Sequence, residues 1–482
     1  MPPAKPVAPE SPLLLPSLIF VAVVMSVVGT LGTPLVPTIA LDQHVSLETA
    51  QWILTVTLLV GAIATPITGR LGDGPHRKRT IMFSLGSVLV GAILAAASLN
   101  FAMLITGRAL QGVGLGLVPL TISVARDHIA PEKRRSAIAI LSISTAAGAG
   151  LGYPITGFIG ERFDYRVGYW LAAVLSVIAV ALVLRYVPHT PNLLAHPLDI
   201  PGAVALSGFL FCLLLGLSQG NRWGWGTSLI DGLFVAAAIL LLLWIVLELR
   251  SDHPLVDLRL MANRPVLIAD IVALMMGVGL YAMSSLVNRY VQAPAEAGYG
   301  FHAGLLMTGI MLAPLSIGSV VSNRVSTFFL RYMSTGKVIA LGSVFVGLDM
   351  LFLAFSRSSR WEIFLSIAIL GLGIGMTFAT MPAMILGTVP PHETGSAMSM
   401  NSVLRTVGGA VGSAASISLL STYTPAGSHL PTNTGYTVTF FAGAIICFGA
   451  ALVSIIFFPR RPNPTVVVAT PATASLATRS AD

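Results

Sequence analysis

The sequence predicts an all-α membrane protein, a bundle of fourteen transmembrane helices arranged as six, two and six. Three observations carry that prediction. Hydrophobic residues make up 55% of the 482 residues and charged residues only 10%, whereas a water-soluble chain carries roughly 25% charged residues to keep its surface wet. The apolar residues fall in runs of about 20, the length that spans a ~30 Å hydrocarbon core. The few Lys and Arg residues collect in alternate gaps between those runs.

Taken in order, the runs define spans at 14–40, 48–71, 78–98, 100–126, 134–160, 166–187, 200–217, 227–249, 265–288, 302–325, 336–355, 361–386, 394–421 and 437–458. Inside lipid a backbone amide has no water to bond, so each run is expected to be a helix. The first run follows a single Lys5 and lacks a convincing small-residue cleavage site, so it reads as a retained helix and not as a signal peptide. Cys212 and Cys447 each sit within an apolar run and read as small buried hydrophobes.

Lys and Arg orient the spans, because basic residues are retained on the cytoplasmic side. With a cytoplasmic N-terminus, the inner segments hold 19 of the 27 basic residues, the outer loops hold six, and Arg108 and Arg405 lie within spans. A net charge of +8 could also signal nucleic acid, but charges confined to short loops between spans set topology instead. No nucleic-acid partner is expected. Ser/His/Asp sets, zinc-ligand spacings and phosphate-binding Gly loops are all missing, so neither an enzyme, nor a metal or cofactor site, nor an ATP-driven pump is expected.

An internal repeat organises the chain. Leu85-Gly86-Ser87-Val88-Leu89-Val90-Gly91 returns as Leu341-Gly342-Ser343-Val344-Phe345-Val346-Gly347, and Pro131, Ser136, Ala137, Gly148 and Gly152 return as Pro391, Ser396, Ala397, Gly408 and Gly412. The shift pairs span three with span eleven and span five with span thirteen. Two six-helix halves would shift by six, so two helices are inserted between them. The expected organisation is a cytoplasmic tail (1–13), an amino-terminal bundle (14–187), a linker with two inserted helices (188–264), a second bundle (265–458) and a polar tail (459–482).

Three motifs carry chemistry. The loop after the second span holds Gly69, Asp73, Arg77 and Lys78. An anion at Asp73 suits the amino end of the thirteenth helix, near residues 394–396, whose dipole attracts negative charge; the plain alternative is a cluster that only sets topology. In the fourth span, Arg108 precedes Gln111-Gly112-Val113-Gly114. It lies eight residues from the outer side, or about 12 Å deep, where a guanidinium needs a polar cavity or partner. The fifth span carries Gly148, Gly152, Pro154 and Gly157, small residues that permit close packing and a proline that bends the helix.

Together these resemble the signature loop, the fourth-helix Arg motif and the Gly-rich fifth-helix antiporter motif of the major facilitator superfamily. Departures from the family pattern are Gly74 in place of a basic residue, His76 in place of Gly, and Tyr153 and Phe158 in place of glycines. The fourteen-helix plan resembles the superfamily's drug:proton antiporter branch, and Asp199-Ile200-Pro201-Gly202, Asn401 and Arg405 are similar to that branch. The resemblance implies that Asp73 latches the cytoplasmic side and that Arg108 and Gln111 serve proton coupling or the cavity. It further implies a monomeric multidrug exporter in the plasma membrane, moving an amphipathic or cationic organic compound against protons. Export or symport of one metabolite or lipid is the alternative within transport, and a sensor or membrane-embedded enzyme the alternative outside it. Many such exporters carry an acid in the first helix, where this chain reads Thr30-Leu31-Gly32-Thr33-Pro34-Leu35-Val36-Pro37. A titrating carboxylate is therefore expected elsewhere, at Asp270 first and Asp349 second.

Overall fold

The computed structural model describes residues 11–32, 35–188, 198–390, 393–425 and 430–457. Residues 1–10 of the amino-terminal tail, the carboxy-terminal tail and most of the 188–199 linker lie outside them. Among the described residues, thirteen helices are long and apolar enough to cross a membrane, and a further apolar helix, Leu14–Thr30, is shorter. In chain order they are α1 (Leu14–Thr30), α2 (Trp52–Asp73), α3 (Arg77–Ala96), α4 (Phe101–His128), α5 (Pro131–Arg162), α6 (Arg166–Tyr186) and α7 (Ile200–Trp223). There follow α8 (Ser228–Arg250), α9 (Arg264–Gln292), α10 (Leu305–Phe329), α11 (Thr335–Phe355), α12 (Arg360–Leu386), α13 (Thr394–Thr422) and α14 (Asn433–Phe457).

The first span is not the single helix expected over 14–40. It stops at Thr30 and resumes as Val36–Asp42. Gly32 has φ +105°, in a region open to glycine and hostile to a β-carbon, and Pro37 stands in the first turn of the second piece without an N–H to give. Two other spans are interrupted. α4 passes through a 3-10 turn at Val113–Gly116, and α10 steps between Leu312 and Pro314.

The repeated glycines do the same work in each half. On α5, a β-carbon at Gly148 would lie 2.8 Å from Ser26 Cβ, and one at Gly152 2.0 Å from the Thr30 hydroxyl, both on α1. On α13, a β-carbon at Gly408 would lie 2.0 Å from the Leu274 carbonyl, and one at Gly412 2.3 Å from that of Val278, both on α9. The fifth helix thus crosses the first, and the thirteenth crosses the ninth, at backbone contact. Two apolar clusters fill the bundle: one around Leu85, Leu120 and Leu141 continues into the second half through Val389, Ala397 and Met398, and the other, around Met276, Leu315 and Ile374, lies mostly in the second half.

The inserted helices α7 and α8 pair with each other, and α7 lies against α2 and α13. Polar contacts fix it there: the Ser218 and Thr55 hydroxyls are 3.1 Å apart, and the Asn221 amide donates to the Ala414 carbonyl at 3.2 Å. α8 turns Val235, Ile239, Leu242 and Val246 outward, the face a helix presents to hydrocarbon.

Candidate functional site

The two halves are joined at the face that carries the α2–α3 loop, hereafter the basic face. Asp73 ends α2 and is buried. Its carboxylate accepts from the Gly395 N–H at 2.6 Å and the Ser396 N–H at 2.8 Å. These amides belong to the first turn of α13, where N–H groups have no partner in their own helix and the dipole is positive. Glycines allow the approach: a β-carbon at Gly69 would lie 2.8 Å from the Gly395 carbonyl, and one at Gly395 2.6 Å from the Gly69 carbonyl.

Two further contacts cross the same seam. Arg70 pairs with Glu393 at 2.9 Å. Arg126, near the end of α4, donates to the carbonyls of Leu386 (3.4 Å), Val389 (3.0 Å) and Pro390 (3.4 Å), and to the Thr394 hydroxyl. A cation therefore meets the carbonyl end of α12 while an anion meets the amide end of α13, each matched to the local dipole. Arg77 and Lys78 face the other way. Arg77 donates to Gly72 O (2.5 Å), Ser123 O (3.3 Å) and Asp127 (2.5 Å), and Lys78 to Leu184 O (2.9 Å). Both brace the loop within the first half, so of the four motif residues only Gly69 and Asp73 touch the second.

Arg108 is fully buried and, among the described residues, has no carboxylate partner. Its Nε donates to the Ile53 carbonyl at 3.0 Å, and one Nη to the Val28 carbonyl at 3.2 Å and to Gln111 Oε1 at 2.6 Å. Its guanidinium also lies 5.8 Å from the Tyr169 ring centroid. The Val28 carbonyl is one of those left open when α1 stops. The charge at mid-span thus serves the interrupted first helix, tying α1, α2 and α4 together where backbone would otherwise be exposed to a lipid-like interior.

A void lies between the halves, one to three turns inward from the basic face. It is lined by Ser142 and Thr145 of α5, Phe378 of α12, and Asn401, Ser402 and Arg405 of α13, among others. Asp270 of α9 is buried directly behind Asn401, whose amide donates to its carboxylate at 2.8 Å and to the Ala269 carbonyl at 3.3 Å. Two residues far apart in sequence, both singled out beforehand, thus touch. Asp349 lies elsewhere. It is buried within the second half beside Ser366 and Cys447 and does not line the void.

The α5 motif faces two ways. Gly148 and Gly152 meet α1, as described above, whereas Gly157 and Pro154 meet α10 of the other half. A β-carbon at Gly157 would lie 2.5 Å from the Leu305 carbonyl, and one at Gly309 2.8 Å from Pro154 Cα. Sequence reasoning counted Arg70 and Arg126 only as topology-setting charges, and it did not single out Glu393 or Phe378, which lines the void. Helix ends a few residues away were the available signal for Arg126.

Two repeated six-helix units, hydrogen-bonded to each other at the basic face with a void behind it, have the architecture of a transporter. The Major Facilitator Superfamily profile matches residues 18–413, and the chain belongs to that family. It is 25% identical to multidrug resistance protein 3 of Bacillus subtilis (strain 168) over 76% of this chain and 71% of that protein. It is 26% identical to the tetracenomycin C resistance and export protein of Streptomyces glaucescens over 83% of this chain and 74% of that one. The fold matches the crystal structure of the human organic anion transporter MFSD10 (TETRAN) with a TM-score of 0.65, at 15% identity, over 92% of this chain and 100% of that one.

Proposed function

We propose that this protein is a proton-coupled exporter of amphipathic organic compounds, working by alternating access as a monomer in the plasma membrane, with both termini cytoplasmic. The moving units are the bundles 14–187 and 265–458. The observation that carries the reading is the basic-face seam. Its polar part is made of hydrogen bonds and one ion pair to helix ends, beside apolar contacts through Val389, Ala397 and Met398, and it lies directly below a void to which both halves contribute. Charge-to-helix-end contacts exchange for water at modest cost, so they suit an element with two states. Curated relatives named for multidrug resistance and for tetracenomycin C export support export of a drug-like molecule. Asp270, screened from the void by Asn401, is the first candidate to carry the proton and Asp349 the second. Arg108 and Gln111 hold the first half's polar centre.

The seam is tested by accessibility. Ser402→Cys places a thiol in the void, and its labelling from the basic face reports how often that face opens. Asp73→Asn leaves the fold's packing in place but removes the charge held by the α13 amides. It is expected to raise the labelling rate several-fold, in keeping with a charge–dipole contact of about 1 kcal/mol or more. An unchanged rate would remove Asp73 from the closure.

Orientation is tested in intact cells. A cysteine at His76 is expected to resist an impermeant thiol reagent added outside, and one at Leu430 to react. The reverse pattern would invert the direction of transport proposed here.

A further inference from the structure

We infer that the compound carried bears an acidic group, which Arg405 at the void between the halves receives. This deepens the exporter proposal and rests on it. The charge of the void is the starting point. Arg405 lines it, and Asp and Glu are missing from its lining among the described residues. The four ion pairs of the described residues involve Arg70, Arg77 and Arg166, never Arg405.

The surroundings of Arg405 sharpen the point. Among the described residues its guanidinium has one hydrogen-bond acceptor, the Ser402 hydroxyl at 3.1 Å. It lies over the Phe378 ring, 4.7 Å from the centroid. Among the described residues, the ionisable side chain whose charge it senses is Tyr281, and the Tyr281 ring lies against Gly409 one turn further along α13. Tyr281 in turn interacts with Tyr153 of α5, in the opposite half. Asp270 does not compensate the charge: its carboxylate is turned into the α9–α13 seam and occupied by the Asn401 amide.

A guanidinium carries five N–H donors in a planar fork that matches a carboxylate or sulfonate. Here Arg405 lines the void, has one hydrogen-bond acceptor among the described residues, the Ser402 hydroxyl, and rests its guanidinium on the Phe378 ring. Leaving such a charge unpaired within a membrane protein is costly, and an anionic ligand removes that cost. A cationic ligand would add a like charge to it. Neutral hydroxyls at Ser142, Thr145 and Ser402 supply the remaining polar contacts.

Two dyes with the same xanthene body separate the possibilities: fluorescein, an anion at pH 8, and rhodamine 6G, a permanent cation. Binding of each to the purified full chain in lipid nanodiscs, with empty nanodiscs as the blank, is read by fluorescence anisotropy. Fluorescein is expected to bind at least about tenfold more tightly than rhodamine 6G, the ratio worth one charge-assisted hydrogen bond. Arg405→Gln is expected to weaken fluorescein at least about tenfold and to leave or improve rhodamine 6G. Arg405→Lys keeps the charge and is expected to retain part of the fluorescein affinity. Equal affinities, tighter rhodamine 6G binding, no fluorescein binding, or full fluorescein affinity in Arg405→Gln would each overturn the inference. The wild-type ranking decides the matter even where a variant fails to fold. The measurement uses no gradient, so a protein that binds fluorescein but does not pump fails the exporter reading alone.

Discussion

Replacing Arg108 with Ala is expected to reduce transport to background while the protein still inserts in the membrane. The side chain bridges the carbonyls of Val28 and Ile53 and the Gln111 amide oxygen, so its loss strips the interrupted first span of its partner. The Ile53 carbonyl keeps the Thr57 hydroxyl at 2.9 Å, but the Val28 carbonyl loses its partner at a cost of about 1–3 kcal/mol, enough to unfasten α1 locally without unfolding fourteen helices. Insertion itself becomes easier, because a charge is removed from the span. Arg108→Lys is expected to rescue only partly, since a compact ammonium lacks the fork that reaches acceptors on α1, α2 and α4 together. Membrane fraction and initial transport rate measured on the same preparations check the pair. Full activity in Arg108→Ala would show that the break in α1 needs no tie.

Asp270→Asn is expected to stop transport driven by a pH gradient while sparing substrate binding and substrate exchange. The amide oxygen of an Asn can still accept from Asn401, so the α9–α13 contact survives, but no proton can be taken up or released. A coupled exporter needs a group whose proton affinity differs between its two states, and burial that alternates with access to water supplies such a difference. Asn401 both lines the void and holds Asp270, so a ligand that moves Asn401 would also uncover the carboxylate. Uphill pumping by Asp270→Asn would pass the role to Asp349, and normal pumping by both neutral variants would rule out coupling through a membrane carboxylate.

Much of the fold was legible because lipid imposes a length and an internal hydrogen-bond rule on every span. The repeat was legible as well, and Gly148, Gly152, Gly408 and Gly412 show why: backbone contact at a crossing admits no side chain, so both copies keep glycine. The interruption of the first span at Gly32 was not, because hydropathy is indifferent to one left-handed residue inside an apolar run. The contact of Asp73 with residues 395 and 396 was written in the sequence as a charge beside a loop and a helix beginning elsewhere, since helix-end electrostatics depend on where an element starts. Arg126 obeys the same rule at the opposite pole, but a basic residue at a span's end also sets topology, and that reading hid it. The uncompensated Arg405 could not be read at all. Sequence shows that an Arg sits in a span, and only the packing shows that, among the described residues, no acid pairs with it.

Gradient-driven flux in proteoliposomes tests the central claim most directly. With purified protein reconstituted, a dye substrate on the side of the basic face and the opposite side made acidic, dye is expected to accumulate on the acidic side above its equilibrium level. That accumulation is expected to collapse when a protonophore dissipates the gradient, and to be missing in Asp270→Asn vesicles that still exchange dye. Accumulation that ignores the protonophore, or flux that never exceeds equilibration at any imposed pH difference, would contradict a proton-coupled exporter.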